Sequence, residues 1–424
     1  MGHLLVIESW VGAMSALLPR AIREDGHRFT FLTRDLHHYL RATPRGEVHP
    51  LLAADNVVTA ETNDPAALAA HVARLHAALR FDGVLTSCDY YLHTAAEVAA
   101  HLGLPGPDPA AVRRACRKDL AREAMRRAGL PGPAFAVAGG WADTLAAAER
   151  LGFPLVVKPV DLCAGMYVRA VADPAQLRAA YDALAGFAVN ARRQPRVPLV
   201  LLEELLTGPE VSVETVTRDG VTTVVGVTDK SLAGTSAFVE SGHMFPADLP
   251  APAARAAADT AVAALAAVGL THGVAHTELR LTPAGPRVVE VNPRPAGNQI
   301  TELVRRVTGI DLPMAYARLA LGERPDTTPV DTGVRSAAIA FLLPPRAGTV
   351  DAVTGTDRLA GDPSVVDWAV RPPGHRTGDA SSNNSYLGHV MTVDTEGPGA
   401  RARAEAHVAA LDVRYADQLA GTAA

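Results

Sequence analysis

Three oxygen-bearing side chains, Glu278, Glu290 and Asn292, fall in one short stretch, T-E-L-R-L-T-P-A-G-P-R-V-V-E-V-N-P-R, and Arg294 follows two positions after Asn292. Hard oxygen donors of this kind suit Mg²⁺, which is usually held by one or two carboxylates together with substrate phosphates. For these donors to converge, the chain carrying them must be extended and must fold back. Two alternating segments, His276 to Leu281 and Arg287 to Val291, flank Thr282-Pro283-Ala284-Gly285-Pro286, whose Pro and Gly favour a reversal. A β-hairpin is therefore expected, with Glu278 on its first strand and Glu290 and Asn292 on one face of its second. Taken alone, E-V-N-P-R fits a solvated hairpin face about as well as a metal site. A second set of residues far upstream asks for the same ligand.

That set begins with Phe153-Pro154-Leu155-Val156-Val157-Lys158-Pro159, an apolar strand ending in a lysine, followed by Asp161 to Val168 as a loop into another strand. A loop with one glycine is a weak phosphate cradle, but a lysine just before it can neutralise phosphate charge as a point donor. Val197 to Leu202 reads as a buried strand running into E-E-L-L-T-G-P-E, Glu203 to Glu210. Glu210 to Val216 then alternates as a half-buried antiparallel strand should. A carboxylate at such a crossover can accept from an exocyclic amine or from ribose hydroxyls. In isolation, Glu203 and Glu204 are equally well read as surface charge.

The remaining chain supplies the frame. At 424 residues, two or three domains are expected, and 48% hydrophobic with 20% charged residues is an ordinary globular composition. A net charge of -5 gives no nucleic-acid footprint, and no partner nucleic acid or membrane is expected. The basic run from Arg113 to Arg127 reads as the solvated face of one helix ending before Gly129, with Lys118 the exception. Cys88, Cys116 and Cys163 are few, scattered and odd in number, which fits a reducing cytoplasm and excludes a disulfide framework. The N-terminus, with Glu8 and no basic leader, reads as a buried strand, and Ala251 to Leu270, interrupted by Arg255 and Asp259, as an amphipathic helix. His3 to Glu8, the helical pattern through Ile22, and Arg28 to Thr33 form a βαβ unit, repeated in part at Phe81 to Leu102. Gly12 alone is no dinucleotide fingerprint. Glu8, Ser9, Ser87 and Asp89, at strand ends, can still line a substrate pocket. Pro105-Gly106-Pro107 and Pro109 mark a boundary.

The ordered set K-D-L-A-R-E-A-M-R-R-A-G-L-P-G-P, F-P-L-V-V-K-P, E-E-L-L-T-G-P-E-V-S-V-E, and E-L-R ending in V-E-V-N-P-R resembles the ATP-grasp ligases over Arg113 to Arg324. The resemblance implies α/β and α+β architecture: an N-terminal parallel α/β (pre-ATP-grasp) domain at 1–112, an ATP-grasp domain at 113–325 with a mobile lid at about 131–197, and a small C-terminal α+β domain at 326–424. It implies ATP with Mg²⁺ or Mn²⁺ as cofactors. Lys118 and Lys158 would meet the phosphates, Glu203, Glu204 and the backbone near Leu206 the adenine, and Glu210 the ribose. Glu278, Glu290 and Asn292 would hold metal, and Arg294 would stabilise the transferring phosphoryl group. The loop at Asp161 departs from the family in being poor in Gly and Ser. Phe238 to Pro246 is similar to a segment that L-amino acid ligases, the dipeptide synthetases, place near their substrate. Lys230 before it could also reach the nucleotide. His243 within it could orient or deprotonate an amine, or simply be packed. The C-terminal segment resembles that of biotin-carboxylase-like members; Arg335 or the Ser381 to Ser385 loop would complete the substrate site, or the segment only supports the hairpin. The implied function is an ADP-forming carboxylate–amine ligase acting on small molecules, with a homodimer left open. The rivals are a carboxylase or purine-pathway-type ligase, and an ATP-binding sensor without turnover.

Overall fold

The computed structural model describes residues 1–41, 48–233, 238–378, 383 and 385–416. Its N-terminal unit is a four-stranded parallel sheet in the order Asn56–Thr59, Arg28–Thr33, His3–Ile7, Gly83–Leu85. Alternation along the strands divides its apolar side chains between two cores. Leu4, Val6, Phe29 and Phe31 meet Leu18 and Ile22 of the helix Met14–Glu24 on one side. On the other, Leu5, Ile7 and Leu32 meet Leu68 and Val72 of the helix Pro65–Leu79. Burial on both faces is why these strands read as continuous apolar runs. Their carboxyl ends therefore carry the polar residues Glu8, Ser9, Ser87 and Asp89.

The largest sheet has eight antiparallel strands, in the order Gly285–Asn292, Gly273–Thr282, Glu210–Arg218, Val221–Ala233, Val239–Phe245, Ser336–Leu342, Gly388–Asp394, Val365–Val370. The expected hairpin is its edge. The sheet also runs across residue 326 without interruption, so the C-terminal strands extend the same sheet that carries the hairpin. The strand Glu210–Arg218 lies third from that edge and is buried along almost its whole length rather than half-buried, because side chains of both faces are covered. The helix Ala251–Val268 is long and apolar enough to cross a membrane by length and composition. Its Ala257, Ala261, Ala264, Leu265 and Val268 pack instead against Val211, Val213, Ala275 and Leu279 of the sheet.

A smaller antiparallel sheet orders Phe135–Ala138, Val200–Glu204, Leu155–Pro159 and Arg169–Val171, covered by the helices Trp141–Leu151 and Pro174–Ala185. The strand expected at Val197 to Leu202 thus begins at Val200 and continues through both glutamates. It belongs to this small sheet, beyond the expected lid limit of 197. The single helix expected over Arg113 to Ala128 is two helices, Pro109–Cys116 and Lys118–Arg127. Arg117 between them is extended, with φ -97° and ψ 106°. The Lys118 amide, at the start of the second helix, donates to the Val160 carbonyl at 3.0 Å. The break is thus made by tertiary bonding that helical spacing does not reveal.

Candidate active site

A cavity of about 480 Å³ opens where the carboxyl ends of the parallel sheet, the small sheet and the hairpin edge of the large sheet meet. Lys118, Lys158, Glu203, Glu204, Leu206, Glu210, Glu278, Glu290, Asn292 and Arg294 all line it. Residues separated by more than 170 positions are brought together because the helix break at Arg117 aims Lys118 at the hairpin. Its Nζ donates to the Leu162 carbonyl at 2.5 Å and to Glu290 Oε1 at 3.0 Å. Burial would lower the Lys118 ammonium, but Glu290 outweighs that and raises it. Lys158 closes its strand with the side chain buried, and its Nζ is 2.7 Å from Glu203 Oε2. Burial lowers Lys158, and Glu203 offsets only part of that.

Glu203 is the hub of a buried triad. Arg122 Nε donates to its Oε1 at 2.5 Å, while the Arg122 Nη1 and Nη2 groups bind the Val288 and Val289 carbonyls of the hairpin. Burial would raise this carboxyl, but Arg122 and Lys158 override it and hold it at about 2. The carboxylate therefore serves to fix Lys158 and to lock the small sheet to the hairpin. The nearby Glu204 is exposed and accepts from the Ala134 amide at 3.2 Å. Arg122 corrects the reading of the basic run as a solvated face: it is as deeply buried as Lys118, and its partner lies on a strand that the run itself cannot announce.

On the hairpin, Glu278 and Glu290 face each other in register, and His276 faces Asn292. Glu278 Oε1 lies 2.8 Å from Lys230 Nζ and 3.1 Å from His276 Nε2. Burial would raise the Glu278 carboxyl, yet Lys230 and His276 hold it well below the carboxylate range. Glu278 and Glu290 are each held through Oε1, and both residues line the cavity. Two carboxylates, each held by one oxygen at the cavity wall, beside an amide oxygen donor, fit a hard divalent cation. Behind them, His276 Nδ1 meets both Glu214 oxygens, at 3.0 and 3.1 Å. Burial would lower this imidazole, but Glu214, aided by Glu278, raises it to about 9.

Lys230 and His243 do not line the cavity. Lys230 is buried beneath it, within 3.2 Å of Glu210, 2.9 Å of Glu240 and 2.8 Å of Glu278. It ties three strands together through their carboxylates. Glu210, between Lys230 and Arg280 at 3.0 Å, is raised by burial. His243 is buried against Phe341, ring centroids 5.4 Å apart, with Nε2 3.2 Å from Glu240 Oε2. Placed there it does not line the cavity itself but touches Glu240, which does. Arg294 holds Asp89, with Nε at 2.8 Å and Nη2 at 2.7 Å from Oδ1. Burial would lower the guanidinium, and Asp89 raises it. Asp89 and Ser87 line the cavity as expected, whereas Glu8 is buried under bonds from Thr33, Tyr39 and Thr62 and does not. The loop after Lys158 lines it through Leu162 to Met166. It reaches left-handed backbone at Ala164, Gly165 and Tyr167, so one glycine suffices. Arg335 is exposed and pairs with Asp331, away from the cavity. Of the Ser381 to Ser385 loop, Asn383 lines the cavity, while Ser381, Ser382 and Asn384 lie outside the described residues.

Glu214, Glu240, His276 and Arg122 were not singled out from the sequence. The only signal for the first three was their position on the same strands as the expected ligands, which becomes informative once the strand register is known.

Comparison with known proteins bears on the same segments. The family profile described as "ATP-grasp domain" matches residues 151–302, "L-amino acid ligase C-terminal domain 2" matches 340–416, and "ATP-grasp N-terminal domain" matches 21–106. The chain is 31% identical over 366 residues to an uncharacterized protein, y4rH, of Sinorhizobium fredii, covering 82% of this chain and 75% of that protein. It is 30% identical over 326 residues to carnosine synthase 1 of Gallus gallus, covering 74% of this chain but only 34% of that much longer protein. The crystal structure of L-amino acid ligase from Bacillus licheniformis superposes with a TM-score of 0.80 at 23% identity, over 98% of this chain and 99% of that one, and shares its fold. With cationic and carboxylate residues arranged around one cavity and matches along most of its length, the chain belongs to the ATP-grasp ligases.

Proposed function

We propose that this chain is an ADP-forming ligase that activates the carboxylate of an amino acid as an acyl phosphate and joins it to the amine of a second amino acid or small amine. The observation that carries the reading is the approach of Lys118, Lys158 and Arg294 to the cavity that is also lined by the carboxylates of Glu278 and Glu290. Cations and a metal-binding carboxylate pair on one side of a cavity suit phosphoryl transfer, which depends on positioning and charge neutralisation. Similarity to an L-amino acid ligase fold and to carnosine synthase supports amino acids as the substrate class.

In this reading Lys118 and Lys158 bind the phosphates of ATP, and Leu206 and Glu210 sit at the nucleoside end. Glu278, Glu290 and Asn292 hold Mg²⁺ or Mn²⁺, which supplies Lewis acidity at the phosphates. The substrate carboxylate attacks the γ-phosphorus and ADP leaves. The amine nitrogen then attacks the acyl carbon, the carbon–oxygen bond to phosphate breaks, and the amine gives up a proton. Arg294, held by Asp89, faces charge that develops in both steps. Units at 1–112, 113–325 with a lid near 131–197, and 326–424 are our working division, and the cytoplasm our proposed location.

A screen of amino-acid pairs for ADP and orthophosphate release tests the proposal. Release that requires both an acid and an amine supports it. Release driven by bicarbonate points to carboxylation, and ATP binding without release with any pair points to a sensor.

A further inference from the structure

Between the helix Pro174–Ala185 and the strand Val200–Glu204, the chain leaves the small sheet as a narrow loop. A Val189/Pro195 bridge closes it, Asn190 Nδ2 donates to Gln194 Oε1 at 2.8 Å, and Asn190 Oδ1 accepts from the Arg192 and Gln194 amides at 2.9 and 3.1 Å. Arg193 takes left-handed backbone, φ 60°, and turns the tip. A loop tip of this kind normally points its arginines at water, since arginine is rarely buried unless paired. Arg192 is instead only 6% exposed, because it has left its own sheet and entered the N-terminal unit.

Its guanidinium lies 5.5 Å from the Trp10 ring and 5.6 Å from the Tyr39 ring. Nη2 donates to the Ser9 carbonyl, and Nη1 is 4.0 Å from Glu8 Oε2. The Arg192 carbonyl accepts from Asn63 Nδ2 at 2.9 Å and from Arg34 Nη2 at 3.2 Å. Gln194 Nε2 adds a bond to the Tyr90 carbonyl at 3.3 Å. The small unit is thus fastened to the N-terminal unit at its far tip.

The contact continues into the cavity. Trp10 packs edge-on against Tyr90, ring centroids 5.3 Å apart, and its Nε1 donates to Asp89 Oδ2 at 2.6 Å. The other oxygen of Asp89 holds Arg294. Arg192, Trp10, Asp89 and Arg294 therefore form one unbroken series from the loop tip to the reacting end of the cavity, and the last three line it.

We propose that Arg192 is a positioning residue: it latches the tip of the small unit onto the N-terminal unit and, through Trp10 and Asp89, sets the guanidinium of Arg294. This rests on the ligase reading above. With the latch closed, the acyl phosphate is kept from solvent until the amine attacks. With it lost, water adds to the acyl carbon, the bond to the phosphate oxygen breaks, and the carboxylate is regenerated with release of orthophosphate. ATP is then consumed without amide formation.

The test compares wild-type, Arg192→Ala, Arg192→Lys and Trp10→Phe full-length chains, measuring ADP and amide in the same reaction and deuterium uptake at residues 186–199. Trp10→Phe keeps an aromatic ring but removes the N–H that holds Asp89. We expect several-fold more ADP per amide in Arg192→Ala and in Trp10→Phe, little change in KM for ATP, an intermediate ratio in Arg192→Lys, and faster uptake at 186–199 in Arg192→Ala. If rate falls while ADP per amide stays at the wild-type ratio, Arg192 is a structural brace and the proposal is overturned. Unchanged deuterium uptake in a folded Arg192→Ala or Arg192→Lys chain overturns it without any turnover being needed. Absence of ADP release from the wild type with every amino-acid pair defeats the ligase reading, whatever the uptake shows.

Discussion

Replacing Glu203 by glutamine removes the one negative charge that Arg122 and Lys158 share in a buried place, at 2.5 and 2.7 Å. The size of the effect follows from the carboxyl itself, held at about 2 against an ordinary value of 4.5. At roughly 1.4 kcal/mol per pKa unit, the ionised form contributes ~3 kcal/mol to stability. Breaking a buried pair by removing one partner costs a similar amount, about 3–5 kcal/mol, because uncompensated charge stays behind. The folded-state value is depressed, so this contribution is fully present above the unfolded value near 4.5 and is lost as pH falls through it toward 2. Urea unfolding of wild type and Glu203→Gln should therefore differ by ~3 kcal/mol at pH 7, with the gap steady down to about pH 5 and narrowing below it. Lys158, already lowered by burial, should fall further without its carboxylate, so the variant should bind ATP more weakly than wild type. A gap under about 1 kcal/mol at pH 7, or one that stays the same from pH 5 to pH 3, would refute the triad argument.

Other consequences are more local. Glu290→Ala should abolish ADP formation while leaving the circular dichroism of a folded chain, because a half-buried carboxylate is removed and no core cavity opens; undiminished ADP release would remove Glu290 from the metal set. Lys158→Ala should weaken ATP binding far more than amino-acid binding in calorimetric titrations, and equal losses for both ligands would count against a phosphate role. Gly208→Ala should destabilise by several kcal/mol, on the order of other strained backbone sites. A Cβ there would sit 2.1 Å from the Leu281 carbonyl oxygen, at φ +126°, so a variant as stable as wild type would contradict the close packing of the crossover on the hairpin.

Local patterning foretold the elements whose signals are local. The hairpin at Gly273–Thr282 and Gly285–Asn292 follows from alternation and a Pro/Gly turn, and the N-terminal βαβ unit from apolar runs and a helical period. Lys158, Glu278, Glu290 and Asn292 were visible because each sits at the end, or on the exposed face, of such an element. Arg122 was not, since its helix looks the same whether Glu203 waits opposite or not. Neither was the break at Arg117, which depends on a bond from Lys118 to Val160, nor the burial of Lys230 among three carboxylates, each on a different strand. The role of His243 stayed open because an imidazole beside Met244 and Phe245 carries the same letters whether it faces a ligand or a ring such as Phe341. The continuous sheet across residue 326 is likewise a matter of which strands pair, and alternation alone assigns no partners.

The route through an acyl phosphate can be followed by isotope. The acid identified in the pair screen, labelled with ¹⁸O in its carboxylate, is incubated with ATP, metal and the amine, and the phosphates are read by ³¹P NMR. Attack of the carboxylate on the γ-phosphorus, followed by attack of the amine on the acyl carbon, carries a labelled oxygen into orthophosphate and leaves ADP unlabelled. Labelled orthophosphate with ADP is the result the arrangement of Lys118, Lys158, Arg294 and the Glu278/Glu290 pair predicts. AMP bearing the label with pyrophosphate, or orthophosphate without label, would contradict it.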